Sequence, residues 1–264
     1  MPLLLALLLA AVSCAAQPIP LSDDVLALAF AGRPGAFVLI DCATGAAARH
    51  DPAACAAPLP PCSTFKIWNT AIGLENGLVG EPDAPFWKWD GQVRAVADWN
   101  QDQTLRSAFA VSCVPAYQAL ARKTGPKRMA AWLTKLGYGD RDLSAGIDRF
   151  WLAWPNEKSL LISADAQAEE IVRLATGKLP LAPHTRAVLA EIMRAKRTEN
   201  GILYGKTGGS GKFYADGRTL GWYVGYVESR GRTYAFACNL IYPGAAGKDA
   251  RALVEDVLAK AGLL

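Results

Sequence analysis

Ser63 and Lys66 stand three residues apart in Cys62-Ser63-Thr64-Phe65-Lys66, so on a helix both side chains leave from one face and can meet. A serine hydroxyl is a poor nucleophile until an adjacent base takes its proton. A lysine can be that base once burial has lowered its pKa far enough to leave the amine neutral. Phe65 beside it, with Val114 and Trp151 further along, offers the apolar surroundings this needs. Ser112, in Ser112-Cys113-Val114, lies where one apolar-periodic run ends and Pro115 opens the next. It suits a proton relay projecting into a cleft, and equally an ordinary N-cap before a proline in the first helical turn. A third group, Lys206-Thr207-Gly208-Gly209, falls on a strand-like run. There the glycines let the backbone-like edge of a ligand come close, while Lys206 and Thr207 offer donors to a carboxylate.

Taken singly, none of these is specific: Ser-x-x-Lys more often marks an exposed helix turn. Gly205-Lys206-Thr207 imitates the end of a phosphate-binding loop, but Gly201 leaves three intervening residues where four are needed, and loop and strand follow instead of a long helix. Gly208-Gly209-Ser210-Gly211-Lys212 lacks the Ser or Thr after its lysine. The two histidines, His50 and His184, are far apart and no cysteine pair has C-x-x-C spacing, which argues against a zinc site and against a Ser-His-Asp triad.

A chain of 264 residues, 52% hydrophobic and 20% charged, is long enough to bury a large core. Its net charge of +4 is scattered, with no basic run dense enough to follow a nucleic-acid backbone. That balance suits a small anionic ligand. The apolar stretch from Leu3 to Val12, followed by Ser13-Cys14-Ala15-Ala16, is too short to span a bilayer and reads as an export signal over residues 1–16. The expected location is therefore periplasmic or secreted, with lipid anchoring at Cys14 the lesser alternative. Export permits disulfides. Cys42 and Cys55 flank the turn signal Ala43-Thr44-Gly45 between two strand-like runs, so a bridge across that hairpin is the leading pair; the alternative is that all five remaining cysteines are small buried residues.

The elements that must carry these residues follow from periodicity. Residues 35–40 read as a buried strand, with 46–50 pairing back onto it, after a helix start at Ser22-Asp23-Asp24. The segment from Ser63 has helical spacing, with Phe65, Ile67, Ala71, Ile72 and Leu74 inward and Gly77 as C-cap. Helical periodicity recurs over 105–111, 115–123, 127–136 and 164–175, then strands over 201–207, 221–228 and 233–241 lead to a closing helix over 248–260. The expectation is an α+β protein in which both chain ends build one antiparallel sheet flanked by helices. A catalytic domain over 17–264 would comprise a mixed part, about 17–62 and 196–264, and a helical part, about 63–195.

Ser-x-x-Lys, Ser-x-Val and Lys-Thr-Gly in this order are far more specific than any one of them. With Pro61-Cys62-Ser63-Thr64-Phe65-Lys66-Ile67, Tyr117-Gln118, Leu136-Gly137-Tyr138-Gly139, Phe150-Trp151-Leu152 leading to Ile162-Ser163, and Gly221-Trp222-Tyr223-Val224-Gly225-Tyr226-Val227-Glu228, the chain resembles the penicillin-recognising serine enzymes, specifically class D β-lactamases. The resemblance implies hydrolysis of a small β-lactam by a monomer or homodimer, without a metal or cofactor, and with antibiotic resistance as the outcome. It casts Ser63 as nucleophile and Lys66 as base, carbamylated by carbon dioxide or bicarbonate and held by Trp151. Ser112 becomes a proton relay supported by Lys206, the backbone N–H groups of Ser63 and Gly209 an oxyanion hole, and Val114 part of the dry pocket. Thr207 binds the substrate carboxylate with a basic residue of the last helix: Arg251, or Lys248 in reserve, although a simple count lands on Ala250. The alternatives implied are a penicillin-binding transpeptidase or carboxypeptidase and a β-lactam sensor domain. Three departures stand out: Asp140 after Tyr138-Gly139, a longer loop over 153–158, and Cys62 and Cys113 at the variable motif positions, close enough in motif space to suggest a bridge beneath the nucleophile.

Overall fold

The computed structural model describes residues 19–154, 160–211 and 214–264. The leader with Cys14, and residues 155–159 of the loop after Trp151, lie outside them. In chain order the elements are α1 (Asp23–Phe30), β1 (Gly35–Asp41), β2 (Ala47–His50), α2 (Pro52–Ala56), a 3-10 turn (Cys62–Phe65), α3 (Lys66–Glu75), β3 (Pro85–Trp87), β4 (Gln103–Thr104), α4 (Leu105–Ala110), α5 (Val114–Thr124), α6 (Pro126–Leu136), α7 (Ala164–Ala175), α8 (Pro183–Met193), β5 (Arg194–Arg197), β6 (Gly201–Gly209), β7 (Thr219–Ser229), β8 (Arg232–Tyr242) and α9 (Gly247–Lys260). Six strands form one antiparallel sheet in the order β2-β1-β8-β7-β6-β5. The first strand therefore lies beside the last, with Phe37 opposite Cys238, and the two chain ends share a sheet as expected.

β1 is buried along its whole length because the sheet is covered on both faces, and its side chains alternate between two cores. Ala36, Val38 and Ile40 join the helical side, packed with α3, α5 and α7. Phe37 and Leu39 join Phe236, Leu253 and Val257 beneath α1 and α9. From the helical stretch, α7 lies directly over β1, β7 and β8, placing Ala164, Ala168 and Ile171 in one core with Val38 and Val224. Among the described residues no helix is long and apolar enough to cross a membrane.

α2, β3, β4, α8 and β5 are additional to the elements expected from periodicity. α2 is a single turn started by Asp51, whose side chain accepts from Ala54 N, followed by Pro52. β5, Arg-Ala-Lys-Arg, shows no apolar alternation because it is the sheet's exposed edge, where charge discourages further pairing.

The Cys42–Cys55 bridge is overturned: both are free thiols. The Asp41 side chain caps the hairpin turn by accepting from Ala43 N and Thr44 N, which puts Cys42 at the turn end of β1. Cys55 sits on α2 at the other end of the hairpin, where its Sγ donates to Phe37 O at 3.4 Å and His50 O at 3.1 Å. Five residues of strand, about 16 Å, separate Phe37 from Cys42, well beyond the roughly 7 Å over which two cysteine Cα atoms can be bridged. Burial, moreover, pushes both thiols up to about 11, so neither is readily oxidised. Alkylation in denaturant without reductant is therefore expected to modify both Cys42 and Cys55, as read by peptide mass, and reductant is expected to leave the Tm unchanged.

Candidate active site

The chain reaches Ser63 through the 3-10 turn Cys62–Phe65 and continues as α3 from Lys66. In a 3-10 turn residues i and i+3 eclipse, so the turn brings the pair closer than an α-helix would. Lys66 Nζ lies 2.7 Å from Ser63 Oγ, in a hydrogen bond. The turn is held from below: Thr64 Oγ1 donates to Pro61 O at 2.7 Å and lies 3.1 Å from Gln167 Oε1 on α7, while Trp222 Nε1 on β7 donates to Pro60 O at 2.9 Å. Cys62, immediately before the serine, has φ 52°, a left-handed conformation that costs a non-glycine residue energy and recurs where a functional group must be presented.

Lys66 is fully buried. Burial, seconded by the positive charge of Lys206, holds its amine well below the ordinary lysine range, against a smaller opposite pull from Cys113 and Cys62. The apolar setting expected from the sequence is there: the Phe65 ring lies against Trp151, Phe150 and Tyr138 at centroid distances of 6.0, 5.1 and 5.4 Å. Trp151 is itself fully buried, and its indole Nε1 has no hydrogen-bond partner among the described residues. An orphaned N–H in an apolar core is a donor waiting for an acceptor.

Ser112 does not cap α5. The cap position is Cys113, without a side-chain bond, while the Ser112 Oγ is buried without a partner and its backbone sits at φ 55°. Strain and an open hydroxyl leave the relay reading standing. Val114, the first residue of α5, lines the cleft beside Gly209. Cys62 and Cys113 are separate free thiols, so the suggested bridge beneath the nucleophile is absent; burial raises the Cys62 thiol to about 12.

On β6, Lys206 Nζ donates to Thr207 O at 3.1 Å and Thr207 Oγ1 at 3.4 Å. Burial lowers this amine to about 7. Gly208 is a glycine because the strand passes directly over the serine turn: a Cβ there would lie 3.1 Å from Pro61 O, 3.1 Å from Thr64 N and 3.2 Å from Ser63 N. β5 pairs with β6 only over residues 202–204, which leaves the 205–209 half with an unpaired edge where a ligand can align.

Two clefts flank this half-strand. One, of about 530 Å³, is walled by Trp99, Val114, Leu152 and Trp154 against Gly209 and is mostly apolar. The other, of about 210 Å³, is walled by Lys206, Thr207, Tyr223, Arg194 and Arg251. α9 begins at Gly247, where a Cβ would lie 2.7 Å from Gly208 O and 2.8 Å from the Thr207 Cβ. That close approach turns Ala250 into the core and Arg251 onto the wall, while Lys248 is exposed. Arg251 Nε donates to Glu255 Oε1 at 2.7 Å and its Nη2 to Ala195 O at 3.3 Å, which fixes the guanidinium. Arg194 and Trp99 were not legible in the sequence, since neither belongs to a motif. The Asp140 carboxylate is engaged within its own loop: its Oδ1 accepts from Asp142 N and Leu161 N, and the Asp140 N–H donates to Leu161 O.

Residues 35–259 match a family model described as the penicillin-binding protein transpeptidase domain. The β-lactamase OXA-10 of Pseudomonas aeruginosa is 38% identical over 206 residues, 78% of this chain and 76% of that protein. Among solved structures, a class D β-lactamase from Bacillus subtilis superposes with a TM-score of 0.82 at 34% identity, covering 90% of this chain and 95% of the other. The C-terminal domain of the Bacillus licheniformis BlaR penicillin receptor superposes with 0.84 at 26% identity, covering 90% and 95%. The shared transpeptidase framework, and the higher identity to the hydrolases than to the receptor, show that the chain belongs to the class D β-lactamases.

Proposed function

We propose that the protein hydrolyses the lactam amide of penicillin-type antibiotics through an acyl-enzyme on Ser63, and so confers resistance on the cell that exports it. The observation that carries this is the buried Lys66 amine 2.7 Å from Ser63 Oγ, with Lys206 near enough for its charge to act on that amine. Ser63 Oγ attacks the lactam carbonyl carbon as its proton passes to Lys66. The negative charge that develops on the carbonyl oxygen is stabilised by the backbone N–H groups of Ser63 and Gly209. The C–N bond then breaks as the proton held by Lys66 passes through the Ser112 hydroxyl to the nitrogen, with Lys206 beside that relay, which frees Lys66 to act as base again. A water molecule, giving its proton to Lys66, attacks the ester; the penicilloate-type acid leaves and Ser63 recovers its hydroxyl. Thr207 and Arg251 hold the substrate carboxylate in the smaller cleft, and the apolar cleft with Val114 takes the acyl side chain.

The same pocket fits a carbamate on Lys66. Only a neutral amine adds carbon dioxide, the walls are apolar, and the Trp151 N–H has nothing else to bond. Such a carbamate, held by Trp151, would supply a carboxylate-strength base at the end of the Lys66 side chain. We place the mature enzyme in the periplasm or outside the cell, freed from residues 1–16, with a lipid on Cys14 the lesser alternative. Its partner is the small-molecule substrate, and it acts as a monomer or homodimer.

Nitrocefin turnover tests the function. The wild-type protein is expected to hydrolyse it, added bicarbonate to raise the rate of enzyme dialysed at acidic pH, and Ser63→Ala or Lys66→Ala to lower kcat/KM by about 10³-fold or more; a wild type without turnover contradicts the proposal. The pH dependence follows from Lys206. Its amine is protonated below about 7 and neutral above, and it lines the cleft in which Thr207 and Arg251 hold the substrate carboxylate, so the positive charge it adds to theirs fades as the pH rises. KM is expected to climb through the neutral range in wild type and to stay flat in Lys206→Arg, measured by steady-state kinetics at a series of pH values.

A further inference from the structure

Asn69 is a polar side chain for which the mechanism above has no use. It lies on α3 three residues beyond Lys66, so it leaves the same helix face one turn on. It is 1% exposed, and among the described residues neither its Nδ2 nor its Oδ1 has a hydrogen-bond partner. Its buried neighbour Thr70 is satisfied, with Oγ1 2.9 Å from the Tyr117 hydroxyl on α5. The other two buried amides with an open atom, Gln167 and Asn239, each use the second one: Gln167 Oε1 with Thr64 and Tyr138, Asn239 Oδ1 with Ala36 N. Asn69 alone of these amides is open at both ends.

A buried primary amide with no bonds is less stable in place than a leucine of similar volume. Its partner must therefore be something the polypeptide does not itself provide. Two further buried polar atoms are orphaned: the Trp151 Nε1 donor, whose ring centroid lies 6.0 Å from that of Phe65 beside Lys66, and the hydroxyl of Ser112, next to Cys113, whose thiol acts on Lys66. Their chemistry is complementary: two N–H donors can converge on an anion, and one hydroxyl can donate to an amide oxygen.

We infer that Asn69 is a positioning residue for a carbamate on Lys66, its Nδ2 donating to a carbamate oxygen alongside Trp151 Nε1 while its Oδ1 accepts from the Ser112 hydroxyl. This rests on the carbamate reading above. In the reaction concerned the Lys66 lone pair forms the N–C bond to carbon dioxide, one C=O electron pair moves onto oxygen, and the proton released from nitrogen passes to bicarbonate or buffer. An anion already held by Trp151 gains a second charge-assisted bond, and Asn69 ties it to the relay serine. The amide thereby couples formation of the base to the orientation of Ser112.

Carbon-13 NMR of the intact protein equilibrated with labelled bicarbonate reads the carbamate directly, without substrate. Wild type is expected to show a lysine carbamate resonance. Asn69→Leu is expected to need about tenfold more bicarbonate for half occupancy, the loss of one charge-assisted bond, while its Tm in the absence of bicarbonate is equal to or above that of wild type, because a buried amide with no anion to bond has been removed. Asn69→Ala, which creates space without overpacking, is expected to show the same shift in occupancy. Undiminished occupancy in both variants overturns the role of Asn69 and leaves the carbamate standing; a wild type with no resonance overturns both.

Discussion

A lysine amine taken wholly out of water and set against a serine hydroxyl is the interaction on which the rest of this molecule depends. An ammonium buried without a counter-ion costs several kcal/mol, and a group in that position sheds its proton instead. No carboxylate is among the groups that act on Lys66; the charge that does so most is a second lysine, Lys206. The site thus keeps a base neutral chiefly by a dry wall, to which a like charge adds while Lys206 is protonated. Opening that wall to water would return Lys66 to the protonated form, in which it cannot take the serine proton.

The fold can be understood as the means of closing that wall. The first and last strands pair, so the serine turn and the Lys-Thr-Gly strand, far apart in sequence, are brought face to face over Gly208. α7 carries Gln167 under the turn, and Trp222 reaches from β7 to Pro60. The packing must be firm because it holds two backbone positions in left-handed conformations, Cys62 and Ser112, one immediately before the nucleophile and the other at the relay serine itself. Strain of this kind costs about 1–3 kcal/mol per residue and persists only where surrounding contacts over-determine it.

Much of this could be read from residue order alone. Ser63 and Lys66 meet because three residues separate them, and the buried strand at β1 and the helix at α7 announce themselves by periodicity. What could not be read depends on tertiary approach. Counting back from the C-terminus leads to Ala250, but the contact of Gly247 with Thr207 sets the turn of α9 and makes Arg251 the wall residue. β5 is invisible because a charged edge strand has no buried face to pattern. The hairpin bridge failed for a similar reason: Cys42 and Cys55 flank one turn signal in sequence, yet α2 intervenes and folds Cys55 to the far end of the strands. The orphaned atoms of Trp151, Ser112 and Asn69 exist only once the core has closed around them.

The most direct test of Ser63 as a nucleophile served by Lys66 is time-resolved intact mass spectrometry after mixing with benzylpenicillin, followed by peptide mapping. Expected is a single penicilloyl adduct on Ser63 that forms and is lost as substrate is consumed, is absent in Ser63→Ala, and forms slowly in Lys66→Ala and then persists. An adduct on another residue, or one on Ser63 of the wild type that outlasts the substrate by hours as a receptor's would, contradicts the account.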